Sequence, residues 1–207
     1  MNSTNDGAGD ADVLAALRLA TASRHAALDA GLPLSGEAAS LADYASHLML
    51  LRDWLAPLQA WLAGSNAGLP DAHRLARIEA DLADPSMENL IPRAQAPNAQ
   101  QWPRHASDAY RWGVCYVIEG SQLGGAVLYQ RLRERLAPHP LGYLRGVPEG
   151  PGPRWRAFML ALRAHVRSRA EIAEACAGAC DAFDAILTRV QHHQPQNRRP
   201  REGGDPC

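Results

Sequence analysis

One stretch constrains this chain more than any other: Tyr116-Val117-Ile118-Glu119-Gly120-Ser121-Gln122-Leu123-Gly124-Gly125-Ala126-Val127-Leu128. It lies inside a long helical pattern and carries three glycines. Each costs a helix interior roughly 1 kcal/mol relative to alanine, so three require a compensating gain. On a 3.6-residue period Gly120 stacks on Gly124, and Ser121 stacks on Gly125. The two rows are adjacent and form a bare face on which backbone meets whatever lies opposite. A flat cofactor or a closely packed helix satisfies that description.

The rest of the chain reads as helices. Asp10 or Asp12 caps a first helix reaching about Ala30, with Leu14, Leu17, Thr21, His25 and Leu28 on its apolar face. That spacing points His25 inward, with Arg18, Arg24 and Asp29 on other faces. Ser40 caps a second helix of about 24 residues with a long leucine stripe, and Pro57 inside it predicts a kink. Asp71 opens a weaker third helix ending at Asp84-Pro85. A proline-rich connection follows over 85–105. The fourth helix begins near Ser107, carries the glycine stretch and continues to about Leu136. Residues 137–153 are rich in Pro and Gly, with Leu141, Tyr143 and Leu144 packed down. A fifth helix starts at Pro153 or Arg154, and a sixth carries Ile172, Cys176, Ala179, Phe183, Ile186 and Val190. No alternating strand pattern and no internal repeat is present. The fold class is all-α: a single-domain bundle over residues 11–190, with disorder expected over 1–10 and 191–207.

Composition excludes several function classes. The formal net charge of −1 argues against nucleic-acid binding by bulk charge. All 21 basic residues are arginine, so a bound anion is met by Arg, His, hydroxyls or backbone N–H groups. Cys115, Cys176, Cys180 and Cys207 lack zinc-site spacing. The N-terminus lacks the basic and apolar regions of a signal peptide, and no apolar run approaches the roughly 20 residues of a membrane span. A reducing cytoplasm is the expected compartment. Walker, Rossmann, HExxH and GxSxG patterns are absent.

Three features remain: His25 on an apolar face, the glycine rows, and Arg156, Arg163 and Arg167 on one side of the fifth helix. Taken singly, each has a structural explanation: a core histidine, close helix packing, a solvated charged face. Together they describe a haem site. A neutral imidazole is a natural axial ligand for haem iron, glycines give a close wall opposite, and arginines can meet the propionates. Glu119 is expected to pair with an arginine or face solvent, because an unpaired buried carboxylate is costly. Tyr116 reads equally well as a core aromatic or a haem contact.

The segment Leu17-Arg18-Leu19-Ala20-Thr21-Ala22-Ser23-Arg24-His25-Ala26-Ala27-Leu28-Asp29 resembles the proximal helix of haem oxygenases, and Tyr116 to Leu128 resembles their glycine-kinked distal helix in the bacterial biliverdin-producing form. Trp155, Phe158 and the last helix resemble the C-terminal part. The resemblance covers roughly residues 12 to 190. It implies His25 as proximal iron ligand, with Gly120, Ser121, Gly124 and Gly125 lining the distal side. Arg163 would contact a propionate, with Tyr116 a looser contact. Haem would be both cofactor and substrate, converted with O2 and external electrons to biliverdin, CO and Fe2+. A ferredoxin or a reductase would supply the electrons, and a phytochrome is one potential recipient of biliverdin. Many members carry Asp where this chain has Ser121; a hydroxyl binds water but holds no charge. Three other readings stand beside this one. The first is a haem-binding or delivery protein without turnover. The second is a helical enzyme acting on another small molecule through Cys115. The third is a purely structural bundle.

Overall fold

The computed structural model describes residues 12–36, 38–70, 73–90 and 101–193. The expected disorder at 1–10 and 194–207, Asp10, and the Asp71 cap lie outside those residues. Seven α-helices and two short 3-10 turns make up the described chain, with no strand among the described residues. The all-α expectation holds.

Local chemistry sets most boundaries. Helix α1 (Val13–Gly31) starts at Asp12, whose side chain accepts from the Leu14 N–H. Helix α2 (Leu41–Leu62) starts with a capping box between Ser40 and Asp43 and contains Pro57. Helix α3 is Arg74–Leu82. Helix α4 (Asp108–Leu132) is capped by Ser107, and its helical pattern runs through all three glycines of the bare face. It stops at Leu132, short of Leu136. Helix α5 (Gly142–Arg145) is a single turn that no periodicity announced. Helix α6 (Pro151–His165) begins earlier than expected: Gly150, at φ 71°, turns the chain, and Pro151 occupies the first helical position. Helix α7 is Arg169–His193, reaching beyond the expected end of the domain at 190.

Helix α7 is the spine. Both α1 and α4 pack along it, and α2 crosses it more briefly. The α4–α7 crossing is backbone on backbone. A Cβ at Gly113 would sit 1.8 Å from the Ala175 carbonyl oxygen, and one at Gly178 would sit 2.1 Å from that of Tyr110. Only glycine fits at these two positions. The Tyr110 hydroxyl donates to Asp181 (2.5 Å), and Trp54 Nε1 on α2 donates to the Ala182 carbonyl (3.1 Å). On the other side, Arg24 of α1 holds Asp184 through two hydrogen bonds of 2.8 and 2.9 Å.

Two buried polar centres fix the smaller helices. Asp81, 4 % exposed, accepts from the Tyr44 hydroxyl at 2.5 Å and from the Gly142 and Tyr143 N–H groups at 3.0 and 2.8 Å. It thereby nucleates the isolated turn of α5, whose first N–H groups have no intrahelical acceptor. Glu119 on α4 pairs with Arg74 of α3 (2.7 Å) and with Arg154 of α6 (2.7 and 2.9 Å). The carboxylate is therefore neutralised by arginine, as the cost of burying it unpaired requires.

Candidate haem site

The cleft face of α1 is set by spacing. Arg18, His25 and Asp29 follow i, i+7, i+11 and so lie in one row. The expectation that His25 points inward with the leucines, and that Arg18 and Asp29 lie on other faces, is corrected here. Leu17 and Thr21 are buried, but 64 % of the His25 side chain is exposed. The imidazole sits at the edge of the apolar stripe, its ring centroid 5.9 Å from that of Phe183 on α7. Its Nδ1 lies 3.0 Å from Asp29 Oδ2. A carboxylate on Nδ1 is the arrangement common to metal-binding histidines, which ligate through Nε2.

On α4 the two glycine rows part company. Gly120 and Gly124 share the open side with Tyr116 and Val127. A Cβ at Gly124 would meet nothing within 4 Å, one at Gly120 would reach only the Trp155 ring at 4.0 Å, and Val127 is 70 % exposed. Ser121 and Gly125 are turned toward α5. A Cβ at Gly125 would stand 3.8 Å from Leu144. The Ser121 hydroxyl donates to the Ile118 carbonyl (2.7 Å) and is hydrogen-bonded to the phenol of Tyr143, which also accepts from Gln122 Nε2 at 2.9 Å. Burial pushes the Tyr143 phenol above its ordinary range.

Two arginines bridge α1 and α4. Arg18 hydrogen-bonds the Tyr116 hydroxyl, and Arg131, near the end of α4, donates to the carbonyl of Leu34 just beyond α1. Burial raises the Tyr116 phenol above its usual range, against the pull of the Arg18 guanidinium. Along each helix, the row between the bridges holds the predicted site: His25 lies about 10 Å beyond Arg18, and Gly120 to Gly124 lie about 6–12 Å beyond Tyr116, at 1.5 Å per residue. His25 on α1, and Gly120 and Gly124 on α4, thus lie between the same two arginine bridges.

Arg18 was missed as a site residue, although its seven-residue spacing to His25 was visible in the sequence. Arg163, the predicted propionate contact, meets Asp12 at the N-cap of α1, with 3.5 Å between Nη2 and Oδ1. Arg156 and Arg167 are exposed. Cys115 is buried, and its thiol is pushed up to about 12, by burial first and then by the Glu119 charge. A thiol so disposed is a poor nucleophile at neutral pH, which counts against the Cys115 reading.

The residues fit haem. A single histidine with a fixed tautomer gives one axial ligand, and a helix face without Cβ atoms admits a flat ring close to backbone. Arg18 beside Tyr116 and Arg163 beside Asp12 offer cations to the carboxylates of such a ring. No group of three or more His, Cys, Asp or Glu that could hold a metal ion occurs among the described residues.

A helical bundle with a carboxylate-paired histidine on one helix and a Cβ-free open face on another carries the residue types that a haem-binding helical protein needs. The sequence model of the family described as Heme oxygenase matches residues 11–192, and the chain belongs to that family. A curated heme oxygenase of Xanthomonas campestris pv. campestris (strain 8004) is 43 % identical over 98 residues, covering 46 % of this chain and 59 % of that protein. The aligned part thus spans less than two thirds of that relative's length. The crystal structure of the NO- and CO-bound heme oxygenase from Neisseria meningitidis superposes with a TM-score of 0.68 at 23 % identity, covering 88 % of this chain and 92 % of that one. That likeness shows a shared fold. No helix among the described residues is long and apolar enough to cross a membrane.

Proposed function

We propose that this chain is a cytoplasmic haem oxygenase that converts haem, with O2 and external electrons, to biliverdin, CO and Fe2+. What supports this reading is the His25–Asp29 pair on α1, held between the same two arginine bridges as the Cβ-free Gly120–Gly124 face of α4. Bound haem supplies the iron at which O2 is reduced; the protein supplies position and environment. His25 would hold the iron through Nε2, with Asp29 on Nδ1 orienting the imidazole. Gly120 and Gly124 let the helix backbone approach the opposite face and leave space for a diatomic molecule. Ser121 and Gly125 carry the polar and small positions on the flank of that wall. Arg18 with Tyr116, and Arg163 beside Asp12 at the same end of α1, supply cations for the propionates. The positive end of the α1 dipole adds to them.

Electrons come from a ferredoxin or a reductase docking at the exposed haem edge, and a phytochrome is a potential recipient of the product. The test is a hemin titration of the purified protein followed by reduction in air. The Soret band should appear at one equivalent and give way to a green biliverdin spectrum. In His25→Ala the ferric spectrum should change and be restored by added imidazole; an unchanged spectrum removes His25 as ligand. A second reading, haem binding without turnover, is favoured by one observation: the Ser121 proton is committed to the Ile118 carbonyl and is not offered to the cleft. Intact haem persisting under reductant and O2 decides for it.

A further inference from the structure

We infer that Tyr143 is a positioning residue for the open glycine row: its buried phenol fixes the rotational setting of α4 over the cleft through Gln122 and Ser121. The inference rests on the haem reading of the cleft, since it concerns how that wall is held.

Three observations converge. First, the segment of α4 that must hold its place is the one with the least intrinsic helical stability, with three glycines in six residues. Second, the side chains interleaved with those glycines, Ser121 and Gln122, turn inward and both engage the Tyr143 phenol. Gln122 Nε2 donates to the phenol oxygen. The Ser121 proton is given to the Ile118 carbonyl, and its hydroxyl lies beside the phenol. Third, the anchor is itself immobilised. Tyr143 is 3 % exposed, and its backbone N–H and that of Gly142 are bound to the Asp81 carboxylate. Asp81 is bound in turn to the Tyr44 hydroxyl on α2. A chain of hydrogen bonds therefore runs from the α2 core to the flank of the glycine row. Ser121 and Gly124 lie within one turn of each other, so rotation of α4 about its axis moves Gly120 and Gly124 relative to His25. It also changes the backbone dipoles presented to whatever occupies the sixth iron position.

The experiment uses Tyr143→Phe in the full chain. In the haem complex, the acid–alkaline midpoint of the ferric form should shift by roughly half a pH unit or more, about threefold in the ionisation constant. Biliverdin formed per electron supplied should fall about fivefold, the scale of one net hydrogen bond. Hemin affinity should stay within about threefold. In the protein without hemin, hydrogen exchange of amides 119–125 should accelerate about fivefold. An unshifted midpoint together with unchanged exchange overturns the inference and leaves Tyr143 as a core residue. Should Tyr143→Phe fail to fold, Gln122→Leu cuts the same chain from its other end. It should move the midpoint in the same direction, and a midpoint that stays put overturns the inference. Failure of the wild-type protein to bind hemin would instead remove the haem reading, while the exchange measurement still judges the anchor.

Discussion

Glu119→Gln is the substitution whose effect follows most directly from the structure. The carboxylate side chain is 4 % exposed and receives Arg74, 9 % exposed, and Arg154, 29 % exposed. The amide keeps the shape and removes the charge, so two guanidiniums face each other across a neutral group. Arg154 retains water and the Pro70 and Leu69 carbonyls, each at 3.1 Å, so its share of the loss is small. Arg74, at 9 % exposure, has far less water to turn to. Breaking a buried pair from one side costs about 3–5 kcal/mol, and a protein of this size loses roughly 2–4 °C of Tm per kcal/mol. The expected fall is therefore about 6–20 °C. Equilibrium urea unfolding and thermal melts followed by far-UV circular dichroism check it. A loss below about 1 kcal/mol, the range of exposed ion pairs, would refute the claim that this carboxylate ties α4 to α3 and α6. Arg74→Met should cost more than Arg154→Met for the same reason.

Gly124→Ala and Gly113→Ala should separate the two kinds of glycine on α4. The first, with open space around it, should stabilise the protein without hemin by up to about 1 kcal/mol while weakening hemin binding in a Soret titration. The second places a methyl against the Ala175 carbonyl and should destabilise by about 1–3 kcal/mol or more in urea. His47 is buried, its Nδ1 has no hydrogen-bond partner, and burial lowers its pKa to about 4. Between the unfolded value of about 6.5 and that folded value the unfolded chain binds the extra proton. Stability should therefore be full above about pH 6.5 and decline toward pH 4, at up to about 1.4 kcal/mol per pH unit. His47→Leu should flatten that slope in urea titrations across the same range.

Helix caps and the glycine face were legible because their chemistry is local. Ser40, Ser107 and Asp12 cap the helices that begin after them. What lies opposite a residue is not local. Gly113 and Gly178 touch backbone, while Gly124 touches nothing, and no periodicity distinguishes them. Glu119 had to find a cation, yet its partners come from α3 and α6, which only the fold brings together. The α5 turn exists because a carboxylate 61 residues away from Gly142 accepts its N–H. His25 was assigned inward because its spacing follows the leucines; a shift of one helical column put it on the rim, in line with Arg18 and Asp29.

The α4–α7 crossing has a mechanical consequence for the cleft. Both walls hang on one helix, but by different joints. On the glycine side the joint is backbone against backbone at Gly113 and Gly178, with the Tyr110–Asp181 hydrogen bond beside it. On the histidine side it is made by side chains, Arg24 with Asp184 and His25 beside Phe183, together with Gly31 against Val190 at the far end. The seat of α4 on α7 therefore has no room for a Cβ at its centre, whereas the seat of α1 is made mainly by side chains.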